Sequence, residues 1–532
     1  TDFGEEMSGP KPTARQIRLA PANDGGDVQP VDPMGDDAWQ DAPIEYTQTT
    51  DNKEHDPRAD LDNARALVDW FGPNLRYISK WKKWATWDET AWKVDTTYAR
   101  KVAHQTADRL FKNALSRTKA FKEKIKSLGG LAVAMNSDEG EALKAEEKDI
   151  RRALTHAQNA KNTKQLNAML TESAPLCAIE QSELDAFPWL LNVSNGTLDL
   201  KTGELRNHRR EDLLTVTVPI DYDANAKCPI WEAFLRSSLK GDLDLIKYHQ
   251  RISGYVLTGD VSEQVLFFFY GEGQNGKSVF GRIIARLLGA HSGPAPRDLL
   301  MVIQGNKHPT ELALLHGKRL ALCGEVQKNK ALDESKAKDL TGGDRIAARR
   351  MAEDFWDFTP THKLFLWGQH RPTVSGTDEG IWRRIKLITW PVKIPESQKD
   401  PHLFEKLLEE LPGILAWAVR GCLEWQRIGL AEPEVVTKAT SGYREDSDEL
   451  GDFFATRCDF APNAQSTRKA LWGAYQAHCE ENGTEPSGIL RSKEFTARVK
   501  ARAGVEEGKP YDQRTQRTVR GWKGLGIKPK ED

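Results

Sequence analysis

The chain has 532 residues, more than a single hydrophobic core usually serves, so we expect two to four domains. Hydrophobic residues make up 39% and charged residues 29%, which is typical of soluble globular proteins. No stretch approaches the ~18 consecutive apolar residues of a membrane span, and no basic-then-apolar leader follows Thr1, so we expect neither a membrane partner nor a secretory signal.

The six cysteines lie far apart and form no C-x-x-C pair, which indicates scattered reduced core cysteines rather than a metal or disulfide framework. The net charge of −2 hides an asymmetry between the two ends. Residues 1–60 carry 14 acidic side chains against five basic ones, whereas residues 509–530 carry seven basic side chains against Asp512. A basic end suits nucleic acid as well as it suits a solvated tail, and charge alone leaves both readings open.

Composition and periodicity predict the first part of the chain. Residues 1–58 are rich in Pro, Gly and Asp, which predicts a flexible acidic lead-in. The next domain, 59–225, is predicted to be α+β, with an amphipathic helix at LDNARALVDWF, short aromatic-rich strands, charged helices over 97–128 and 137–172, and further strands over 190–205. For four tryptophans we favour core packing over a base-stacking platform: Trp81, Trp84, Trp87 and Trp92.

The second predicted domain, 226–428, alternates apolar runs with helical or turn segments, which is the pattern of an α/β sheet. A helical lid is predicted at 407–425 and a helical linker over 429–465. Residues 466–532 form the last predicted unit, which carries the basic end. The strands of the sheet are predicted at 265–270, 319–323, 364–367 and 385–390.

The segment GEGQNGKS fits the pattern G-x-x-x-x-G-K-[ST] of a phosphate-binding loop. Its glycines permit a tight loop whose backbone N–H groups face phosphate oxygens, its lysine reaches the β- and γ-phosphates, and its serine hydroxyl ligates Mg²⁺. An apolar run directly before it and a helical pattern directly after it favour a real nucleoside triphosphate site over a chance match. The predicted nucleotide-binding residues are Gly271, Gly273, Asn275, Gly276, Lys277 and Ser278.

Two further polar residues follow apolar runs. The run RLALC ends in Gly324-Glu325, and a carboxylate at the C-terminal end of a strand is placed to orient water. The run KLFLW leads to Gln369, the candidate sensor of the γ-phosphate. An exposed glutamate alone is unremarkable, and the phosphate loop upstream is what favours a catalytic role for Glu325.

Five segments, in this order and spacing, resemble the phage and plasmid primase-helicase family: GEGQNGKS, KRLALCGEV, KAKDLTGGDRIAARR, KLFLWGQHRPTVSGTDEGIWRRIKLITW and LPGILAWAVRGCLEW. That family is related to the poxvirus helicase-primase and belongs to helicase superfamily 3, within the AAA+ ATPases. The resemblance covers roughly residues 60–530. It implies an α/β fold: an AAA+ P-loop ATPase domain with an N-terminal α+β domain and a C-terminal winged-helix-like domain.

The resemblance also implies a function: an ATP-dependent replicative DNA helicase, usually a hexameric ring, with ATP and Mg²⁺ at each subunit interface. Single-stranded DNA at replication forks would occupy its channel. Lys277 and Ser278 keep their roles, Glu325 becomes the Walker B acid and metal ligand, and Gln369 the sensor. Arg383 or Arg384 is implied as the arginine finger that reaches the neighbour's γ-phosphate. The alternative is two surface arginines beside a core tryptophan.

The stretch LTGGDRIAARRMAEDFWDF resembles the channel hairpin of this superfamily. Its arginines and one nearby lysine are candidates for sequence-independent contacts to backbone phosphates, with unpaired surface cations as the alternative: Lys338, Arg345, Arg349 and Arg350. In the winged-helix-like unit the predicted DNA contacts are Arg514, Arg517, Arg520 and Lys523.

The chain departs from the family pattern at two positions. Gln369 stands where the family usually has Asn, and Gly324 precedes Glu325 where many P-loop ATPases have Asp, which leaves Mg²⁺ mostly to Ser278 and water. The opening TDFGEEMSG resembles the trailing edge of a primase module, so we expect the helicase part of a primase-helicase, located in the cytoplasm of a bacterial host if a phage or plasmid encodes it.

Two other functions stay open. The altered sensor permits an ATP-regulated DNA-binding assembly or loading module with weak ATPase activity and no processive unwinding. A small-molecule P-loop kinase ranks third, because such kinases rarely reach this length with a basic tail.

Overall fold

The computed structural model describes residues 59–529, apart from residues 297, 304–309, 329, 351–353, 375–378, 485–488, 503 and 513–514. The predicted acidic lead-in and the predicted DNA contact Arg514 lie outside the described residues. Three regions follow one another along the described chain, and we call them the N-terminal region, the sheet region and the C-terminal region.

The N-terminal region combines helices with two small sheets. Its helices are α1 Asp60–Phe71, α2 Thr96–Ser127, α3 Leu131–Met135, α4 Gly140–Asn159 and α5 Thr163–Ser173. Its strands are β1 Leu75–Ile78, β2 Lys83–Trp87, β3 Trp92–Val94, β4 Ala178–Ile179, β5 Leu190–Val193, β6 Gly196–Asp199 and β7 Glu204–Arg206. One sheet has the order β3-β2-β1-β4 and the other the order β5-β6-β7, so the predicted helices and strands are confirmed here.

The tryptophans of the first sheet pack in the core. Trp84 and Trp92 are 6% and 0% exposed, and Trp81 and Trp87 are half-buried against the same cluster as Trp92. Core packing is therefore confirmed for these side chains.

Helix α2 begins where the Asp95 carboxylate accepts a hydrogen bond from the backbone N–H of Tyr98. The helix packs against α4, and together the two form a helical hairpin in which α2 is the longer helix.

The sheet region is built on a five-stranded parallel sheet. Its helices are α6 Pro229–Ser238, α7 Leu243–Leu257, α8 Lys277–Leu288, α9 Thr310–Ala313, α10 Glu334–Thr341, α11 Glu379–Trp382, α12 Leu403–Glu409, α13 Leu411–Ile428 and α14 Glu434–Ser447. Its strands are β8 Leu266–Tyr270, β9 Ser292–Pro294, β10 Leu320–Val326, β11 Ile346–Ala348, β12 Trp356–Phe358, β13 Lys363–Gly368 and β14 Ile385–Thr389.

The strand order β14-β8-β13-β10-β9 places β13 between the strand before the phosphate loop and the strand that carries Glu325. Both faces of the sheet are covered, which is why a strand such as LFFFY is apolar at successive positions. One face packs on α6, α7, α8 and α13, and we call it the α8 face. The other packs on α10, α11 and the β11–β12 hairpin, and we call it the α10 face. The predicted α/β sheet is confirmed.

The C-terminal region has a core of its own. Its helices are α15 Gly451–Arg457, α16 Arg468–Glu481 and α17 Ser492–Lys500. Its strands are β15 Cys458–Asp459, β16 Gln465–Thr467, β17 Glu506–Gly508, β18 Tyr511–Asp512, β19 Arg517–Thr518, β20 Gly521–Lys523 and β21 Gly526–Ile527. A three-stranded antiparallel sheet, β16-β20-β17, packs against α16, and a small β18–β19 ladder extends beside it.

Two further findings concern the whole described chain. All six cysteines are free and buried, which confirms the expectation of reduced core cysteines. Among the described residues, no helix combines the length and the apolar character that a membrane crossing requires.

Candidate functional site

The phosphate loop, residues 271–276, joins the C-terminal end of β8 to the first turn of α8. Lys277 is 7% exposed, and its ammonium donates hydrogen bonds to the carbonyl oxygens of Gly271, at 2.5 Å, and Glu272, at 3.2 Å. The side chain of Ser278 is exposed in the first helical turn. The lysine is thus held over its own loop by two carbonyl oxygens that a phosphate can replace.

Two glycines show how tightly the loop is built. Gly276 has φ of 90°, and a Cβ there would lie 2.8 Å from a ring carbon of Phe234 and 2.9 Å from the Ser238 hydroxyl oxygen. Only glycine satisfies both the conformation and the space. At Gly273, by contrast, a Cβ would meet only the side-chain nitrogen of Gln369, at 3.8 Å. The loop therefore contacts α6 at Gly276 and faces the predicted sensor, Gln369, at Gly273.

A segment that sequence reasoning missed holds the loop in place. The backbone N–H of Ile394 donates to the carbonyl oxygen of Gln274 at 2.9 Å, and the Asn275 amide donates to the carbonyl oxygen of Trp390 at 3.3 Å. Trp390 and Ile394 follow β14, so we call residues 390–394 the strap. Because the strap bonds through its backbone, no side-chain signal marks it in the sequence.

A β-bulge in β10 aims Glu325. Leu322 pairs with Phe365 on β13, but Glu325 pairs with Trp367, so β10 has one extra residue between the two pairs. Before the bulge, Ala321 and Cys323 pack on the α10 face. Without it, strand alternation would turn Glu325 to that same face. The bulge instead puts Glu325 on the α8 face, where the phosphate loop and Lys277 lie, as bulges beside functional sites often do.

Gln369 lies between the loop and Glu325 because β13 lies between β8 and β10. Its side chain is exposed at the end of β13, beside Gly273. Glu325 and Gln369 both line a cavity of about 480 Å³ at this edge of the sheet. The structure thus brings the predicted loop, acid and sensor together. The same cavity is lined by residues that the sequence did not single out: Asp298, Gln327, Lys328 and His370.

Burial shifts the pKa of two side chains at this edge. Burial lowers the pKa of the Lys277 ammonium, and the negative charge of Glu325 opposes this shift. Burial also raises the pKa of the Cys323 thiol to about 12, so this neighbour of Glu325 stays protonated at neutral pH.

The residues present fit a nucleoside triphosphate with Mg²⁺. The Gly273 position is open, and within the described residues Lys277 bonds to loop carbonyls alone. The N-terminus of α8 points its backbone N–H groups toward the loop. Mg²⁺ takes one or two protein oxygen ligands beside phosphate oxygens and water, and Ser278 and Glu325 each present a side-chain oxygen at this edge.

The two arginines of GIWRR have different environments. Arg384 is 9% exposed and donates to the hydroxyl oxygen of Thr341 at 3.1 Å and to the carbonyl oxygen of Gly380 at 2.6 Å. Arg383 is exposed and donates to the Gln264 side chain at 2.7 Å. The two arginines, which the sequence alone does not distinguish, therefore differ in burial. Trp382 beside them is 5% exposed and is the expected core residue.

Both arginines lie at the edge of the sheet opposite the phosphate loop. They precede β14, whose first residue pairs with the first residue of β8, whereas the loop follows the last residue of β8. At ~3.3 Å per residue, the five residues of β8 separate the two edges by about 16 Å. Within one chain, Arg383 therefore lies at the amino end of the strands, whereas the loop lies at their carboxyl end.

The predicted channel hairpin is a β-hairpin of β11 and β12. Arg345 is exposed directly before it, and Lys338 is half-buried on α10. At its distal end Arg349 lies over the ring of Phe355 at 5.1 Å, and Arg350 lies over Trp356 at 5.5 Å. Phe355 is 61% exposed, and the sequence reading passed over it although it stands between two charged residues and a tryptophan.

Three of the predicted DNA contacts at the basic end are exposed and lie close together in sequence. Arg517 is on β19 of the β18–β19 ladder, Lys523 is on β20 of the three-stranded sheet, and Arg520 precedes β20. The fourth, Arg514, lies outside the described residues.

Comparison with known proteins adds the family. Family models match along much of the chain: "D5 N terminal like" over residues 64–239, "Family of unknown function (DUF5906)" over 269–384, and "Poxvirus D5 protein-like" over 445–524. The DUF5906 match includes the phosphate loop, Glu325 and Gln369.

Curated viral relatives are similar over about half of this chain. A protein of Acanthamoeba polyphaga mimivirus named "Putative helicase" is 27% identical over 54% of this chain, and one of African swine fever virus named "Putative primase" is 23% identical over 53%. The matched stretch is 32% of each relative, so this chain spans about a third of their length. A solved structure of the NrS-1 C-terminal region has 12% identity and a TM-score of 0.36, covering 59% of this chain and 80% of that one.

The D5-type models match before and after the parallel sheet, and the viral relatives carry helicase and primase names. The chain is therefore similar to D5-type proteins on both sides of the sheet and to viral proteins with helicase and primase names, which is consistent with a primase-helicase family.

Proposed function

We propose that this chain is an ATP-dependent DNA helicase that works as a ring, hexameric as its family resemblance implies, with ATP bound between neighbouring subunits. The observation that carries this is the position of Arg383. The loop, Glu325 and Gln369 form a site at one edge of the sheet, and the exposed arginine lies at the other edge. Only a second copy of the chain can bring such an arginine to the γ-phosphate.

Each residue then has one task. Lys277 exchanges its two carbonyl partners for phosphate oxygens, and Ser278 with Glu325 provides oxygen ligands for Mg²⁺. Glu325 orients the attacking water from the α8 face, and Gln369 contacts the γ-phosphate. Bound MgATP supplies the phosphoanhydride whose hydrolysis drives translocation. Arg383 of a neighbouring copy stabilises the charge that spreads over the transferred group.

The DNA side of the proposal rests on the β11–β12 hairpin and the C-terminal region. Arg345, Arg349 and Arg350 contact backbone phosphates of single-stranded DNA in the channel, with Lys338 behind them. The winged-helix-like C-terminal region touches DNA through Arg517, Arg520 and Lys523 near the fork. An AAA+ assignment agrees with the placement of β13 between β8 and β10. A primase module is the expected partner.

Subunit mixing tests the ring and the arginine together. Lys277→Ala and Arg383→Ala should each abolish ATP hydrolysis and duplex unwinding, with thermal stability unchanged. An equimolar mixture should regain about a quarter of the wild-type ATPase activity, because a quarter of the interfaces pair an intact loop with an intact arginine. Lys438→Ala, an exposed lysine paired with Glu434, is the matched control and should stay active.

Two outcomes contradict this proposal. Unwinding by Lys277→Ala alone would remove the nucleotide site from the mechanism. Mixed subunits that stay inactive while still forming rings with single-stranded DNA, as seen by electron microscopy, would show that Arg383 does not act on a neighbour's site.

The glutamine at the sensor position supports a second candidate function, an ATP-regulated DNA-binding assembly or loading module. Gln369 is one methylene longer than the usual asparagine, and its side-chain nitrogen lies beside the loop, 3.8 Å from where a Cβ of residue 273 would stand. A strand-displacement assay separates the two functions. ATP turnover and ring assembly without displacement would favour the module, and displacement would favour the helicase.

A further inference from the structure

Helix α2 has one face that packs and one that does not. At 1.5 Å per residue its 32 residues span about 48 Å. Buried side chains such as Ala103, Leu110 and Phe121 recur on the face that packs against the rest of the N-terminal region. At 3.6 residues per turn, lysines spaced by 7 or 11 residues fall on the opposite face. These are Lys101, Lys112, Lys119 and Lys126, and Lys122 lies beside them. We call these five residues the lysine stripe.

The stripe differs from the other cations of the same helix. Arg117 is bound to Asp149 at 3.0 Å, Lys124 to Glu146 at 2.8 Å, and Arg109 lies over the ring of Trp70 at 4.2 Å. These three cations face α1 and α4 and stabilise the packing. All five stripe lysines are exposed, and within the described part of the chain none has a carboxylate or hydrogen-bond partner.

Few acidic residues neutralise this face. Asp108 lies on it but is bound by Lys161 at 2.7 Å, which leaves Glu123 as the exposed carboxylate among the stripe lysines. A row of like charges repels itself and adds nothing to the packing of α2. The stripe is therefore a positive surface on a rigid rod, in a chain whose net charge is −2.

We propose that the lysine stripe binds the sugar–phosphate backbone of duplex DNA. This rests on the proposed helicase function and adds to it a DNA surface outside the channel hairpin and the C-terminal region. From Lys101 to Lys126 the stripe extends ~38 Å, close to the 34–36 Å of one turn of a duplex. A straight helix lying along the duplex meets phosphates of both strands over that length.

The chemistry of the face favours a duplex over a single strand. Surfaces that bind single strands combine cations with aromatic rings on which the bases stack. Helix α2 exposes no phenylalanine, tyrosine or tryptophan ring, because Tyr98 and Phe121 are buried and Phe111 is half-buried. Lysine ammonium groups without base-reading side chains give contacts that are independent of sequence and sensitive to salt. The stripe thus suits the unopened DNA ahead of a translocating ring.

A triple substitution tests this in the full-length protein. Lys112→Gln, Lys119→Gln and Lys126→Gln together remove three charges from exposed positions, so thermal stability should not change. Fluorescence anisotropy with a 30-base-pair duplex is measured across a salt series. The slope of log affinity against log salt should fall by about 3, one per lysine, and the affinity at ~0.1 M salt by about tenfold.

The matched control removes the same charge elsewhere. Lys144→Gln, Lys148→Gln and Lys438→Gln change three exposed lysines outside the stripe, and the slope should stay within about 0.5 of the wild-type value. Single-stranded DNA should stimulate ATP hydrolysis equally in all three proteins, because neither triple substitution touches the hairpin or the nucleotide site.

Each outcome decides one point. Equal slopes for the stripe and control variants would overturn the proposal. A stripe variant with higher duplex affinity would also overturn it. The binding assay contains no ATP, so a Lys277→Ala protein should bind duplex normally. Failure of the helicase proposal and failure of this one are thereby separate results.

Discussion

The two edges of the parallel sheet each hold buried cations, but in different ways. At the amino edge, Arg319 donates to the carbonyl oxygens of Leu257, at 2.5 Å, and Leu190, at 2.6 Å, and Lys363 donates to those of Thr258 and Asp260. At the carboxyl edge, Lys277 donates to two carbonyl oxygens of its own loop. All three side chains are less than 10% exposed.

The difference lies in what the cations join. Arg319 connects the end of α7 to β5 of the N-terminal region, so its bonds hold separate elements together. Among the residues that the structure describes, Lys277 bonds only within one loop, near a cavity of about 480 Å³. Its partners can be exchanged for a ligand without separating any elements. We therefore infer that Arg319 is structural, because its partners come from two elements, and that Lys277 is available for binding, because its partners come from one loop.

The largest effect should follow a change at the carboxyl edge. Glu325→Gln keeps the shape of an exposed side chain but removes the charge that orients water, so the rate of ATP hydrolysis should fall by about 10³-fold with the free energy of unfolding unchanged. Glu272→Gln, an exposed acid of the loop, is the control and should keep its rate. Steady-state ATPase assays and binding of an ATP analogue check this. Equal rates of ATP hydrolysis for both variants would contradict a catalytic role for Glu325 at the carboxyl edge.

The amino edge should respond in the opposite way. Arg319→Met leaves the carbonyl oxygens of Leu257 and Leu190 buried without a donor, which should lower the free energy of unfolding by about 3 kcal/mol. The same substitution at Lys277 should cost activity and little stability, since the loop carbonyls can reach water. Chemical denaturation of both variants measures the difference. Similar losses of stability would contradict the distinction between the edges.

A smaller, pH-dependent effect should also arise at the amino edge. Burial, with the charge of Lys363 next to it, lowers the pKa of His362 to about 4. The folded protein keeps this imidazole neutral, whereas the unfolded chain binds a proton below about pH 6.5, so stability is lost as the pH falls from about 6.5 towards 4. Between pH 7 and 5 this residue should account for about 2 kcal/mol of lost stability.

Replacing that histidine provides the measurement. His362→Leu should reduce the difference between the unfolding free energies at pH 7 and pH 5 by about 2 kcal/mol, whatever its effect at pH 7 alone. His104→Leu, at an exposed position on α2, is the control. An unchanged difference in the His362 variant would mean that the buried imidazole is not the source of the acid sensitivity.

Local patterns were enough to predict much of this molecule. The phosphate loop depends on residues within one octet, and the strands of the sheet are short apolar runs, so both were readable from neighbours in sequence. Periodicity likewise located α1 and the helices that follow the first sheet. The spacing of the stripe lysines, seven and eleven residues, is also visible in the sequence. Only the packing of α2 shows which cations of the helix are paired with carboxylates.

Other features depended on contacts between distant segments. The face on which Glu325 lies is set by an extra residue in the pairing of β10 with β13, and no property of RLALCGEV reveals it. The strap is joined to the loop through backbone groups, which carry no residue signature. Adjacent arginines differ because Arg384 meets Thr341 across the fold while Arg383 remains exposed.

The sequence by itself was enough to predict a phosphate loop and to place an acid and an amide after buried strands, because each of these is a short local pattern. Only the tertiary structure decided that these groups share one edge of the sheet and that Arg383 lies at the other. The physical reason is that strand order and register are set by packing across the whole sheet, and they alone determine which side chains meet.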